Sequence, residues 1–281
     1  MVKKAEKPIV GETGYISLEA VGRIHRDVAK SAEGLEASSA RFMMGSYFNM
    51  QENRMRLDNQ IRAMGKINQP TDVMEWLRDQ NFVLEESLKK AVTKYVKGDP
   101  IGKWMLEQKG VGPLTAAPFL CYLDIHKAPT AGHFMAYCGL DPTKKWEKGQ
   151  KRPWNPTMKK TCWLLGEAFV KSKNRENAVY GQLYQQRKDL ETAKNQAGDY
   201  KEQADHILAT RNFKPGTDVL KEYQAGRLAK AHIHERAKRW AVKIFLSHLH
   251  EKWYQHEFGK PAPSPYPLAH LGHAHKIDPP E

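Results

Sequence analysis

An all-α fold is the expectation for this 281-residue chain, and two observations predict it. Apolar residues recur at three- and four-residue steps over long stretches, the signature of helices with one buried face. The stretches are separated by helix punctuation: Asp99-Pro100 and Asn155-Pro156 at starts, Gly98, Gly139 and Gly65 at ends. The expected layout is N-terminal amphipathic or coiled-coil helices, then a helix-hairpin-helix region, then a long basic C-terminal helix.

Residues 1–15 are polar, with Gly11 and Gly14, and read as a loose arm. Ser17 can cap a short helix carrying Leu18, Val21, Ile24 and Val28. From Glu36 to Met64, Met43, Met50, Leu57 and Met64 stand seven apart, with Tyr47, Arg54 and Ile61 between them. That is a heptad seam with one arginine intruding. An ordinary core helix and a coiled coil, the latter giving a homo-oligomer through residues 36–64, fit it equally. A second amphipathic helix carries Leu84, Leu88, Ala91, Val92 and Tyr95 and ends at Gly98. Five regions follow: 1–80 for assembly, 81–184 for the hairpin domain, 185–226 as polar helix and linker broken at Pro215-Gly216, 227–258 as closing helix, and 259–281 as a Pro- and His-rich tail.

Net charge is +13, and it is unevenly spread. Residues 1–80 nearly balance, whereas residues 141–175 hold ten Lys/Arg against three acids and residues 227–243 hold six against one. Such a surplus calls for a polyanionic partner. No apolar run is long enough to span a membrane and no secretory signal opens the chain, so a cytoplasmic setting is expected, in a bacterial cell or a phage-infected host. Cys121, Cys138 and Cys162 form no C-x-x-C pair, which argues against structural zinc and against a disulfide framework.

The sharpest signal is Gln108-Lys-Gly-Val-Gly-Pro-Leu-Thr-Ala-Ala. Gly110 and Gly112 flank Val111, which can turn inward and tie two helices together, while Pro113 opens the second helix. Free N–H groups at that helix start, aligned with its positive dipole end, can hold one backbone phosphate without reading a base. A plain tight turn would use the same glycines. Pro118, inside the second helix, predicts a kink or a short helix. Thr130 caps a helix over Ala131–Tyr137, and a basic loop follows: Lys144, Lys145, Lys148, Lys151 and Arg152, interleaved with Trp146 and Trp154. The lysines suit phosphate contact; both indoles are expected in the core. Lys159 and Lys160 open the next helix. On the closing helix, Ala229–Phe258, Arg236, Arg239 and Lys243 share one stripe. The expected nucleic-acid contacts are therefore Lys109, Gly110, Val111, Gly112, Leu114 and Thr115 with these loop and helix cations.

Eight of twelve histidines follow residue 230 (His232, His234, His248, His250, His256, His270, His273, His275), but their spacing makes poor chelates. No metal site and no cofactor is expected.

Three blocks in order, Gln108–Ala117, His133–Pro142 and Lys151–Lys160, resemble the C-terminal transposase domain of bacterial insertion-sequence recombinases related to the pilin-gene invertases, some of them guided by a bridge RNA. Ala237–Leu246 is similar to that domain's closing helix. The resemblance implies an all-helical DNA-binding domain preceded by a coiled-coil stretch. It also implies what to look for in catalysis: acidic metal ligands on a ribonuclease-H-like domain, and a serine after Gly-Leu-Asp-Pro. Asp27, Asp58, Asp72 and Asp79 have no strand context, and between Asp141 and Lys160 stand only Thr143 and Thr157 as hydroxyls. The expectation is a non-catalytic protein binding duplex or branched DNA, with structured RNA as a further ligand. A recombinase subunit with a catalytic partner and a structural protein-binding factor are the alternatives.

Overall fold

A computed structural model describes residues 22–265, 269 and 276–280 of the chain. The arm at 1–15, the Ser17 cap with Leu18 and Val21, and His270, His273 and His275 lie outside the described residues. Among the described residues every regular element is a helix and none is long and apolar enough to cross a membrane. The chain divides into two compact units, Met1–Gly98 and Asp99–Glu281. The boundary read at residue 80 falls inside a helix, because the amphipathic pattern there runs on unbroken to Gly98.

The first unit is built on α1 (Arg26–Lys30), α2 (Ala37–Lys66) and α3 (Asp72–Gly98). Only five residues link α2 to α3, so the two long helices form a hairpin and pack on each other. Ala40, Met44, Tyr47 and Leu57 are buried, and Met43, Met50, Arg54, Ile61 and Met64 are half-buried. The heptad seam thus faces α3 of its own chain. Its arginine is explained by Glu85, buried on α3, which accepts from Arg54 Nε at 2.6 Å and Nη2 at 3.3 Å. Gly65 does not end α2; the helix runs to Lys66 and Asn68 takes the left-handed turn at φ 53°.

The second unit contains α4 (Pro100–Glu107), α5 (Pro113–Tyr122), α6 (Ala131–Tyr137), α7 (Pro156–Ser172), α8 (Val179–Ala197), α9 (Lys201–Thr210), α10 (Asp218–Gln224) and α11 (Lys230–Phe258). The two Asx-Pro starts hold at atomic detail, whereas Thr130, at the start of α6, makes no side-chain capping bond. Asp99 Oδ1 accepts from Gly102 N at 2.9 Å with Pro100 at the first position of α4, and Asn155 Oδ1 caps Met158 N at 3.1 Å before α7. Pro118 is buried and α5 runs through it to Tyr122, ten residues in all.

α11 is the axis of this unit and packs on α4, α6, α7 and α8. Phe245 sits at the hub, with ring centroids 5.2 Å from Tyr180, 5.7 Å from Phe119, 5.8 Å from Phe169 and 6.0 Å from Trp104. The polar 185–226 region, expected as a polar helix and linker, is helical over most of its length and packed. α8 packs along α11, burying Tyr180, Tyr184, Glu191 and Asn195. α9 and α10 close a small core of Ala204, Ile207, Tyr223, Leu228 and Ile233. Few large aliphatics were needed because tyrosines and hydrogen-bonded polar groups fill the face.

Candidate nucleic-acid interface

The Gly-Val-Gly-Pro turn joins α4 to α5. Val111 is buried, and its N–H donates to Gln108 O at 2.9 Å. Gly110 has φ +99°, and a Cβ there would stand 3.2 Å from Ala168 O and 3.0 Å from Ser172 Oγ, so this glycine is required by the close approach of α7. Gly112 differs. It is the N-cap of α5 at φ −104°, ψ 169°, and a Cβ there would meet nothing within 4 Å. Gly112 O receives the amides of Thr115 and Ala116, but no hydrogen bond reaches the amides of Gly112 or Leu114 among the described residues. Two donors therefore stand at the positive end of a helix beside open space, with Thr115 half-buried and Lys109 exposed.

The basic loop leaves α6 through Gly139, at φ +69°, where a Cβ would stand 2.9 Å from Trp154 Cγ. Trp154 is half-buried and carries Lys159 Nζ over its ring at 4.0 Å. Trp146, by contrast, is not in the core: it is 38% exposed, donates to Gln150 O at 2.7 Å and lies under Arg152 at 5.0 Å. A loop this short on apolar neighbours has no core to offer it. Lys144, Lys145, Lys148, Lys151, Arg152, Lys159 and Lys160 are exposed. Thr143 donates its hydroxyl to Asp141 Oδ1 at 2.7 Å, and its amide adds a second bond; together they hold the Asp141 carboxyl below its ordinary range.

These groups do not form one continuous patch. The turn packs on the last turns of α7, at Ala168 to Ser172, whereas Lys159 and Lys160 lie in its first turns. At 1.5 Å per residue the two are separated by roughly 13 Å along the helix. The loop's root and the α11 stripe do come together: Gly139–Pro142, Arg236, Arg239 and Lys243 line one cavity with Arg187, Glu191 and Trp240. Arg236 is already committed, donating to Glu191 Oε2 at 3.0 Å and to Gln203 Oε1 at 3.2 Å. Arg187 and Glu191 went unnoticed in the sequence. The signal was the step Tyr180, Tyr184, Glu191, Asn195, a buried helix face made of polar residues.

His234, His248 and His250 serve the fold. His248 bonds Tyr180 Oη at 3.0 Å and Ile277 O at 2.8 Å, and His250 bonds Ala128 O at 2.7 Å; burial pushes both pKa values down. His234 meets Tyr184 Oη at 2.7 Å. Glu167, His234 and Glu235 bring ligand atoms within 4.8 Å of one another, a geometry fit for a metal ion. Lys238, 2% exposed, places Nζ 2.5 Å from both carboxylates there and holds Glu167 below its ordinary pKa. The three cysteines are buried and none forms a disulfide.

The second unit thus carries an open helix start and, apart from it, a cation-rich loop, each of a kind that suits anions. Residues 103–161, from within α4 to the start of α7, match the family described as Transposase IS116/IS110/IS902. That segment is of the transposase C-terminal type, as the resemblance implied, and holds both the turn and the basic loop. No curated protein and no solved structure matches the chain.

Proposed function

We propose that this transposase-related chain is a DNA-binding protein that grips the phosphate backbone through the start of α5 and the basic loop, with little base specificity and without cutting the strand. The observation that carries the reading is the pair of unengaged amides at Gly112 and Leu114, inside the family-matched segment. The second unit supplies the charge, with twenty-nine basic against nineteen acidic residues. The absence of strand cleavage is inferred from where the acids and hydroxyls sit. Asp58 and Asp79 pair with Arg54 and Arg78 on helices, and Thr143 is bonded to Asp141. Duplex left intact by the purified chain in magnesium or manganese is the expected result.

Gly112→Asp tests the binding reading cleanly. Aspartate is a good N-cap, the backbone is already extended, and a side chain has room, so the melting temperature should hold or rise slightly. The same carboxylate would sit where a phosphate must. Duplex affinity by gel shift should drop at least about tenfold, the cost of losing charge-assisted bonds, while Gly112→Asn loses far less. Equal affinity for wild type and Gly112→Asp removes the proposal.

One observation favours a protein-binding role for the first unit. Val73, Trp76 and Leu77 of α3 are 71%, 58% and 38% exposed, and share a face with Leu84. Because the α2 seam is covered by α3, we place self-association of this unit on this face instead. Trp76→Glu should then lower the mass seen by light scattering; a mass unchanged by the substitution excludes it.

A further inference from the structure

The cavity at the root of the basic loop is over-supplied with cations. It has a volume of about 510 Å³ and lies between the Gly139–Pro142 main chain, α8 and α11. Its charges sort into two groups. Arg187 and Arg236 share the buried Glu191 carboxylate, which Tyr200 also bonds. Burial alone would raise the pKa of Glu191, yet these partners hold it below its ordinary range. Arg239 and Lys243 have neither an ion pair nor a hydrogen bond among the described residues. Lys243 is half-buried; burial and the neighbouring Arg239 lower its pKa, and Asp141 offsets this only in part. Arg187 Nε is buried and has no acceptor among the described residues. Four cations thus face two carboxylates, both already occupied by other donors.

A half-buried ammonium beside a second cation is costly in the free protein, and an anion in the cavity would offset that cost. The donor set describes that anion. A guanidinium fork from Arg239 and an ammonium from Lys243, one turn apart on α11, line the cavity together with Arg187 of α8, which suits a tetrahedral group with several acceptor oxygens. The cavity is much larger than a phosphate and falls in the size range of sites for small organic ligands. A recess of this volume takes a phosphate together with part of its nucleotide, which an unpaired strand offers more readily than a stiff duplex.

We propose that this cavity binds one phosphate group of an unpaired nucleotide, with Arg239 and Lys243 as its principal ligands and Arg187 behind them. The proposal rests on the nucleic-acid reading above and adds the strand form that the second unit recognises.

The test compares wild type, Arg239→Gln/Lys243→Gln and Gly112→Asp on three oligonucleotides of one sequence: a single strand with a 5′-phosphate, the same strand with a 5′-hydroxyl, and the duplex. The double variant should lose roughly 100-fold on single strands, about tenfold per cation, and less than about twofold on duplex. Preference for the phosphorylated end identifies a terminal phosphate as the ligand; equal binding of both single strands identifies an internal phosphodiester. Either supports the site. Inorganic phosphate should raise the wild-type melting temperature above that in chloride of equal ionic strength, and leave the double variant unmoved. Without ligand the double variant should melt no lower than wild type, since it loses cations that have no partner. Unchanged single-strand affinity in the double variant, or equal loss on single strand and duplex, overturns the proposal. Wild-type protein that binds none of the three oligonucleotides would instead overturn the nucleic-acid reading itself.

Discussion

Arg54→Met is the perturbation whose outcome follows most directly from the geometry. Arg54 stands in the apolar seam of α2 and delivers two hydrogen bonds to Glu85, whose side chain is only 6% exposed. Removing the guanidinium leaves that carboxylate with Tyr47 Oη, at 3.5 Å, as its remaining partner. Tyr47 is a poor substitute: burial and the Glu85 charge push its pKa up to about 12, so it stays neutral. Breaking a buried pair from one side costs about 3–5 kcal/mol, and because Arg54 itself is 26% exposed the lower end applies, about 3 kcal/mol. For a unit of this size that is a fall of roughly 12–24 °C in its melting transition. Differential scanning calorimetry of the full chain reads the shift. The double variant Arg54→Met/Glu85→Leu should recover most of it, since no charge is then stranded. A shift below about 1 kcal/mol, or a destabilisation that depends on protein concentration, refutes the reasoning; the latter would mean that the arginine answers a glutamate on another chain.

Other outcomes follow from the same structure. With about six phosphates neutralised, log K for duplex should fall against log salt with a slope near −5; a flat plot is incompatible with backbone binding. Gly110→Ala should cost about 2–4 kcal/mol, from a positive φ and contacts near 3.0–3.2 Å, whereas Gly112→Ala should stay within about 0.5 kcal/mol by urea unfolding; similar losses at both positions contradict the turn as described. Gly181→Ala, whose Cβ would stand 2.6 Å from Lys173 Cα, should destabilise the α7–α8 crossing by about 1–3 kcal/mol in the same assay. His248 and His250 have folded pKa values below their unfolded ones, so the unfolded chain binds more protons as pH falls through about 6.5. Stability should therefore be full above about pH 7 and decline below it, by at most about 1.4 kcal/mol per pH unit for each histidine; His250→Gln should flatten the profile.

The sequence revealed those elements that announce themselves through local chemistry. Asp99-Pro100, Asn155-Pro156 and Gly139 fixed helix ends because caps act over one turn, and the Gly110–Pro113 turn was recognisable for the same reason. The seam on α2 was plain, but not what covered it. Whether Arg54 faces Glu85 or another chain is a question of tertiary pairing that spacing alone does not answer. A polar helix was legible in 185–226, but not its burial, because the packed faces of α8 and α9 use Tyr, Glu and Asn, residues that count as polar until their partners are known. The stripe on α11 was visible, yet it concealed a division of labour: Arg236 is tied to Glu191 while Arg239 and Lys243 are free among the described residues. Only the arrival of α8 alongside makes that distinction.

Lys238 carries one further consequence. At the crossing of α7 and α11 two glutamates and a histidine gather as they would around a divalent cation, and a tethered ammonium already bridges the two carboxylates. Gly166 makes the room, since a Cβ there would come within 2.6 Å of the lysine's Cγ. A covalently attached counter-charge has no dissociation constant and no exchange with the medium. This corner should therefore be blind to chelators and to swings in cellular magnesium, and the long helix that presents the cavity's cations keeps its seating whatever the ionic supply.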